Sequence, residues 1–465
     1  MAPSDVSQPL DHGGNSSGTR ERYRPLPTGS HGLDPELVKN DQRERLRGAM
    51  IELIAAKGYP AVRILDLAKL AHVSQPTFYT LFADKEELFL SAYDQIAQRS
   101  AQNVLQAYNQ TGTQAERLRA GMLAFAELAV AEPAAMSLFM LGAFGAGANA
   151  LDRRRRTLDA LEASILASRD RAPNLGATDL TVKAILGGIR EVTAARLRDG
   201  RQGELPGLVD DLAAWAASYP RRVPKGLGAP PLSRVDPATA GSLSSERARR
   251  AEGRLPSGRS DMEPQFVVKS QRERIVDATA GIVAEKGLAG LTIPEITRRA
   301  NVSNQTFYRI YGSKSEAFLG AQKVGMHQAL QVTAEAYAAH EADWPVAVAA
   351  GLRALIDYLA SEPAHAHLNL VDTFAASPEA IEIRNSAMHA FAAYMQPGYE
   401  LAAKRKAKVP PVAAEAVAGG VWQVLHHYVE NDCIDHLPQT APQLTYMALT
   451  PFLGPDAAAE AARGS

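Results

Sequence analysis

QRERIVDATAGIVAEKGLAGLTIPEITRRANVSNQTFYRIYGSKSEAFLGA, residues 271–321, and QRERLRGAMIELIAAKGYPAVRILDLAKLAHVSQPTFYTLFADKEELFLSA, residues 42–92, are one segment written twice. They align without a gap at an offset of 229 positions, and roughly 20 of these 51 positions are identical. A repeat of this length sets the architecture, because each copy must build the same local core. The chain is a tandem duplication.

Each copy reads as short helices. In the later one, Ile275, Ala278, Ile282 and Val283 recur at helical spacing, an apolar stripe for one buried face. Lys286 and Gly287 then make a stop, a cation in the last turn followed by a residue free to turn left-handed. Thr292 is spaced as an N-cap, with Pro294 and Glu295 in the first turn behind it. A short helix to about Ala300 turns Ile293 and Ile296 inward. Asn301, Val302 and Ser303 form a tight turn, and Ser303 caps a third helix through Tyr308. Val302 and Val73 plug the angle between the two helices. Two short helices joined by three or four residues make a helix-turn-helix. In the earlier copy Arg63 stands where Thr292 caps, at a cost of about 1 kcal/mol. Pro76 is tolerated in the first helical turn, where no backbone donor is needed.

The pattern of a first helix closed by Gly, T-x-x-E-I, A-x-V-S-x-x-T-F-Y, then Lys, x, Glu and an aromatic resembles the TetR family of regulators. The resemblance covers about 50 residues in each copy and continues more weakly into 185–220 and 416–449, which look like that family's two dimerisation helices. It implies an all-α fold of two tandem TetR-like units. The expected organisation is a disordered arm over 1–40, a first head over 41–92, a helical effector and dimerisation domain over 93–219, a flexible basic linker over 220–268, a second head over 269–321, a second helical domain over 322–455 and a tail over 456–465. Family members usually carry one head per chain; this one carries two.

The third helix of each head is the expected recognition helix, laid in a major groove. Asn304, Gln305 and Arg309 in the second head, and Gln75, Thr77 and Thr80 in the first, are its polar positions. Arg suits guanine and Asn or Gln suits adenine. The resemblance implies phosphate contacts for Tyr79 and Tyr308. Lys85 and Lys314, at the start of the fourth helix, combine an ammonium with a helix N-terminus. With Arg63, Thr292 and Thr306 these form the expected DNA-facing set, while Phe78 and Phe307 read as core. In the helical domains, Met136, Phe139, Met140, Phe144, Tyr358 and Phe374 are candidate wall residues for a small apolar effector.

Net charge is −1 at pH 7, yet 220–270 carries ten Lys/Arg against five Asp/Glu and 269–320 eight against five, while 41–92 is balanced at seven each. Positive charge is concentrated in the middle of the chain. The single cysteine, Cys433, forms no internal disulfide and reads as a small buried thiol. A polar N-terminus and the absence of an apolar run near ~18 residues predict a cytoplasmic protein. GAGANA, 145–150, is no dinucleotide site, since no strand precedes it. Arg153 to Arg156 read as a solvated face. His365, His367, His426, His427 and His436 lack metal-ligand spacing, so no metal and no cofactor are expected. No catalytic constellation is present, so an enzyme is not expected. The function expected is a DNA-binding transcriptional regulator, a repressor, released by an effector and paired as an intramolecular pseudodimer or a homodimer. The alternative is a sensor or scaffold whose first head no longer binds DNA.

Overall fold

The computed structural model describes residues 34–110, 112–170, 179–220, 223–228, 264–373 and 377–464. Every regular element among them is helical. No single described helix is long and apolar enough to cross a membrane. The chain divides into two compact units, one comprising residues up to 99 with 134–150, the other 100–133 with 151 onward.

In the first unit, helices α1 (Pro35–Lys57), α2 (Ile64–Leu70), α3 (Gln75–Leu81) and the start of α4 (Lys85–Tyr108) form the head. Helix α1 begins six residues before the expected boundary at 41. Asp34 supplies the reason: its carboxylate accepts from the Glu36 amide at 2.9 Å, with Pro35 behind it. Gly58, at φ 73°, closes the helix. Leu46, Met50, Leu67, Phe78, Leu88 and Phe89 are fully buried and make the head's core. Helix α5 (Gln114–Ala131) belongs to the second unit, whereas α6 (Pro133–Leu141) lies in the first.

The second unit continues through α7 (Ala148–Asp170), α8 (Asp179–Arg198) and α9 (Leu205–Ala217) into the later repeat. There the head is α10 (Pro264–Lys286), α11 (Ile293–Ala300), α12 (Asn304–Ile310) and the start of α13 (Lys314–Ala338). Behind it come α14 (Trp344–Ser361), α15 (Pro363–His367), one π-helical turn over Leu368–Asp372, α16 (Pro378–Ala393), α17 (Gln396–Lys404), α18 (Ala413–Glu430), α19 (Ala441–Leu453) and α20 (Pro455–Arg463). The expected tail is therefore largely helix α20, whose Ala458, Ala459 and Ala462 are buried. The expected linker is shorter as well. Residues 264–268 already belong to α10, and Leu227 is buried in the main core. Residues 1–33 and 229–263 lie outside the described set.

Helices α8 and α18 join the two repeats and run antiparallel, with Arg196 meeting Glu415 at 2.8 Å at one end and Ala184 against Gly420 at the other. Four glycines permit the approach. A Cβ on Gly188 would stand 2.4 Å from the Ala416 carbonyl oxygen and 2.5 Å from the Trp215 ring; one on Gly420 would stand 2.9 Å from the Ala184 carbonyl. Gly187 faces the Gln423 side chain and Gly419 faces Glu191. Because Gly187 and Glu191 match Gly419 and Gln423 in the repeat, these are two copies of one contact, as in an isologous interface. Tyr219 closes the same junction by donating to the Met447 carbonyl at 3.0 Å. Trp215, buried beneath it with its ring edge-on to Tyr219, withdraws apolar surface worth roughly 25 cal/mol per Å².

Candidate nucleic-acid interface

The two heads share one internal scaffold. Ser74 accepts from the Thr77 amide at 3.1 Å and Ser303 from the Thr306 amide at 3.0 Å, fixing where each third helix starts. His72 and Asn301, both at φ 51°, end the second helices in the left-handed region that His and Asn tolerate better than most residues. Thr292 caps α11 as its position predicts, accepting from the Glu295 amide at 3.4 Å. Arg63 makes no cap and instead forks onto Asp66 at 3.0 and 3.1 Å. Lys57 joins Asp66 at 2.6 Å, and Lys286 joins Glu295 at 2.8 Å at the matching place. The Glu295 carboxyl is held down to about 2 by hydrogen bonds from Arg298 and Lys286.

One pair escaped sequence reasoning. Arg45 donates to the Ala71 and His72 carbonyls at 2.5 and 3.2 Å, and Arg274 to those of Ala300 and Asn301, both at 3.1 Å. Each guanidinium satisfies the orphan acceptors at the end of the second helix and so anchors the turn. Its only sequence signal was the shared QRER.

On that scaffold the third helices turn an aromatic each way. Phe78 and Phe307 are fully buried, while their neighbours Tyr79 and Tyr308 are each 57% exposed. Gln75 and Thr80 are exposed in the first head, as are Asn304, Gln305 and Arg309 in the second. Thr77 and Thr306 are half-buried against the capping serines, their hydroxyls 2.7 and 3.0 Å from the serine oxygens. Thr80 folds its hydroxyl onto the Thr77 carbonyl. Asn304 accepts from Thr297, and Arg309 donates to Gln271 at 2.8 Å. Pro76 occupies the place of Gln305, so the first head presents fewer polar groups.

The lysines differ too. Lys85 donates to the Tyr59 and Val62 carbonyls at 3.1 and 3.0 Å and lies 4.1 Å from the Tyr59 ring centroid. Burial lowers its pKa. Lys314 is exposed and donates once, to the Leu291 carbonyl at 2.9 Å. An ammonium has three donors. Lys85 is committed to the loop ahead of α2, whereas Lys314 has donors to spare.

Of the expected effector residues, Met136 and Phe139 pack in the first unit, Met136 fully buried and Phe139 with its ring 5.2 Å from that of Tyr93. Met140 is half-buried there. The Phe144 side chain and Phe374 lie outside the described residues. Tyr358 does line a cavity, within the second repeat, of about 80 Å³ measured to the centre of a water-sized sphere. Its wall includes Met326, Leu355, Met388, Phe391 and Trp422, drawn from α13, α14, α16 and α18. Met388 and Ala418 also border a charged cleft at the repeat junction, with Glu191, Arg198 and Glu415. In the first unit the Tyr93 ring that meets Phe139 also lies 6.3 Å from the ring of Phe89.

Two helix-turn-helix heads in tandem, each with a capped third helix turning an exposed tyrosine outward, define the class. The family "Bacterial regulatory proteins, tetR family" matches residues 47–92 and again 275–320. Both heads are thus of the TetR type, and they stand in tandem in one chain. It is similar to the HTH-type transcriptional activator FasR of Mycolicibacterium smegmatis, 31% identical over 99 residues, which are 21% of this chain and 45% of that protein. The match spans less than half the length of that relative.

Proposed function

We propose that the protein is a sequence-specific DNA-binding transcriptional regulator whose occupancy of DNA is set by a small apolar effector. The observation that carries this reading is the matched pair of third helices, each with a buried Phe and an outward Tyr beside exposed polar residues. Such a face supplies phosphate contacts from Tyr and lysine and base contacts from Asn, Gln and Arg. The interface is Gln75, Tyr79 and Thr80 in one head and Asn304, Gln305, Tyr308, Arg309 and Lys314 in the other. Arg309 releases Gln271 to reach a base. In this reading Thr77, Thr306 and Thr292 shape helix ends, and Lys85 braces its loop.

The pairing proposed is within one chain. The repeated Gly–Glu/Gln contact between α8 and α18 supports it, since each repeat covers the other's dimerisation face. Unlike third helices then read two unlike half-sites. Effector control is proposed to run through Trp422: it lines the cavity and lies under Arg384, which binds Glu191 of the first repeat. An occupant that shifts Trp422 loads the junction and changes the population of DNA-competent arrangements. Oligonucleotide selection with the full chain tests the function. An enriched motif lost in Tyr308→Ala supports it, and no enrichment above background overturns it. Repression is the sign expected, read by transcription from the selected site with and without the protein.

A further inference from the structure

We propose that the cavity of the second repeat takes an uncharged, largely hydrocarbon molecule bearing one hydrogen-bond-donating group, a hydroxyl or an amide N–H, received by Asn369. This rests on the effector reading above and narrows it.

Among the described residues that line the cavity, none is Asp, Glu, Lys, Arg or His. A carboxylate, phosphate or ammonium entering it would lose its hydration without a counter-charge, a cost of several kcal/mol for any ion. The occupant is therefore neutral where it is enclosed. The space exceeds the ~10–15 Å³ that one water needs, and its walls are too apolar to hold several waters by hydrogen bonds.

The polar atoms of the wall narrow the chemistry. Tyr358 spends its hydroxyl proton on the Gly325 carbonyl at 3.1 Å, and Thr333 on the Ala329 carbonyl at 2.7 Å. Asn369 differs. It is 6% exposed, its amide nitrogen donates to the His365 carbonyl at 2.9 Å, and its Oδ1 has no partner among the described residues. A carbonyl only accepts, so that bond fixes which end of the amide is nitrogen and leaves an acceptor unpaired. Leaving it so is unfavourable. The backbone is arranged around this side chain: Asn369 lies in the π-helical turn, an element that interrupts a regular helix and is found often at functional sites. Gly325 opposite leaves the room this side chain occupies, since a Cβ there would stand 2.3 Å from the Asn369 amide nitrogen and displace it. Trp422 Nε1 is a second buried lining atom without a partner among the described residues, a donor that a hydroxyl or amide oxygen satisfies.

The test uses the full chain and three probe series of matched chain length: primary n-alkanols, their methyl ethers and n-alkanoates at pH 8, read by tryptophan fluorescence and calorimetry. Alkanols should bind about tenfold more tightly than ethers, the worth of one hydrogen bond, and alkanoates should not bind. Asn369→Leu should bind alkanols and ethers alike, with retained ether binding showing that the cavity persists. Should that variant not fold, Gly325→Ala, which displaces the amide, should give the same loss of preference. Equal binding of alkanols and ethers by the natural protein, preferred binding of alkanoates, or an alkanol preference that survives both variants would overturn the proposal. Failure of every probe to bind would count against the effector reading itself.

Discussion

Arg384 of the second repeat holds Glu191 of the first, with Nη2 2.6 Å from Oε2 and Nη1 2.7 Å from Oε1, while its guanidinium lies 4.7 Å from the Trp422 ring. Arg198 reaches the same carboxylate at 3.2 Å. Burial pushes the Glu191 pKa up, but the two guanidiniums outweigh it and hold the group down to about 2. The folded value lies below the ordinary 4.5, so this stabilisation is complete above about pH 4.5 and drains away as pH falls toward 2. Glu191→Gln should cost about 3–5 kcal/mol at pH 7, because it strands buried guanidiniums. The difference between variant and natural protein should shrink through that acid window. Denaturant titration across pH checks both; a difference that stays constant down to pH 2 would reject the assignment.

The glycine contact makes a steric prediction. Gly188→Leu with Gly420→Leu would drive side chains into the Ala416 carbonyl, Trp215 and the Ala184 carbonyl. We expect each to cost about 1–3 kcal/mol or more, with a lower melting temperature and a larger hydrodynamic radius as the repeats part on their tether. Unchanged melting and size would show that α8 and α18 do not hold the repeats together in solution.

DNA affinity should be unequal between heads. Lys314 retains free donors and Arg309 has no counterpart in the first head, where Thr80 stands. Tyr308→Ala with Lys314→Ala should therefore flatten the salt dependence of binding by about one unit, the share of its single cation, while loss of the neutral tyrosine lowers affinity at every salt concentration. Tyr79→Ala with Lys85→Ala should leave the slope almost unchanged, because that ammonium is already held by backbone carbonyls. The latter should lower the melting temperature of its head instead, since two carbonyls lose their donor. Equal slopes for the two double mutants would remove the asymmetry.

Much of this was legible in the chain, and the reason is locality. Caps at Ser74, Thr292 and Ser303 and stops at Gly58 and Gly287 act within a few residues, so spacing alone reveals the heads. What was not legible depends on distant partners. Glu191 and Arg384 lie 193 positions apart, and neither carries a motif. Met136 and Tyr358 are both buried, and Tyr358 lines the cavity of the second repeat; no pattern within α14 announces that. The helix α20 escaped because its buried face is alanine, which leaves little periodic signal in a segment of nine residues.

The central claim, that one chain pairs with itself and reads two unlike half-sites, is tested most directly by light scattering at micromolar concentration, performed on the free protein and on its complex with a selected DNA site. The account predicts a mass of one chain, near 49.8 kDa, on an asymmetric site. A mass of two chains on a palindrome would contradict it.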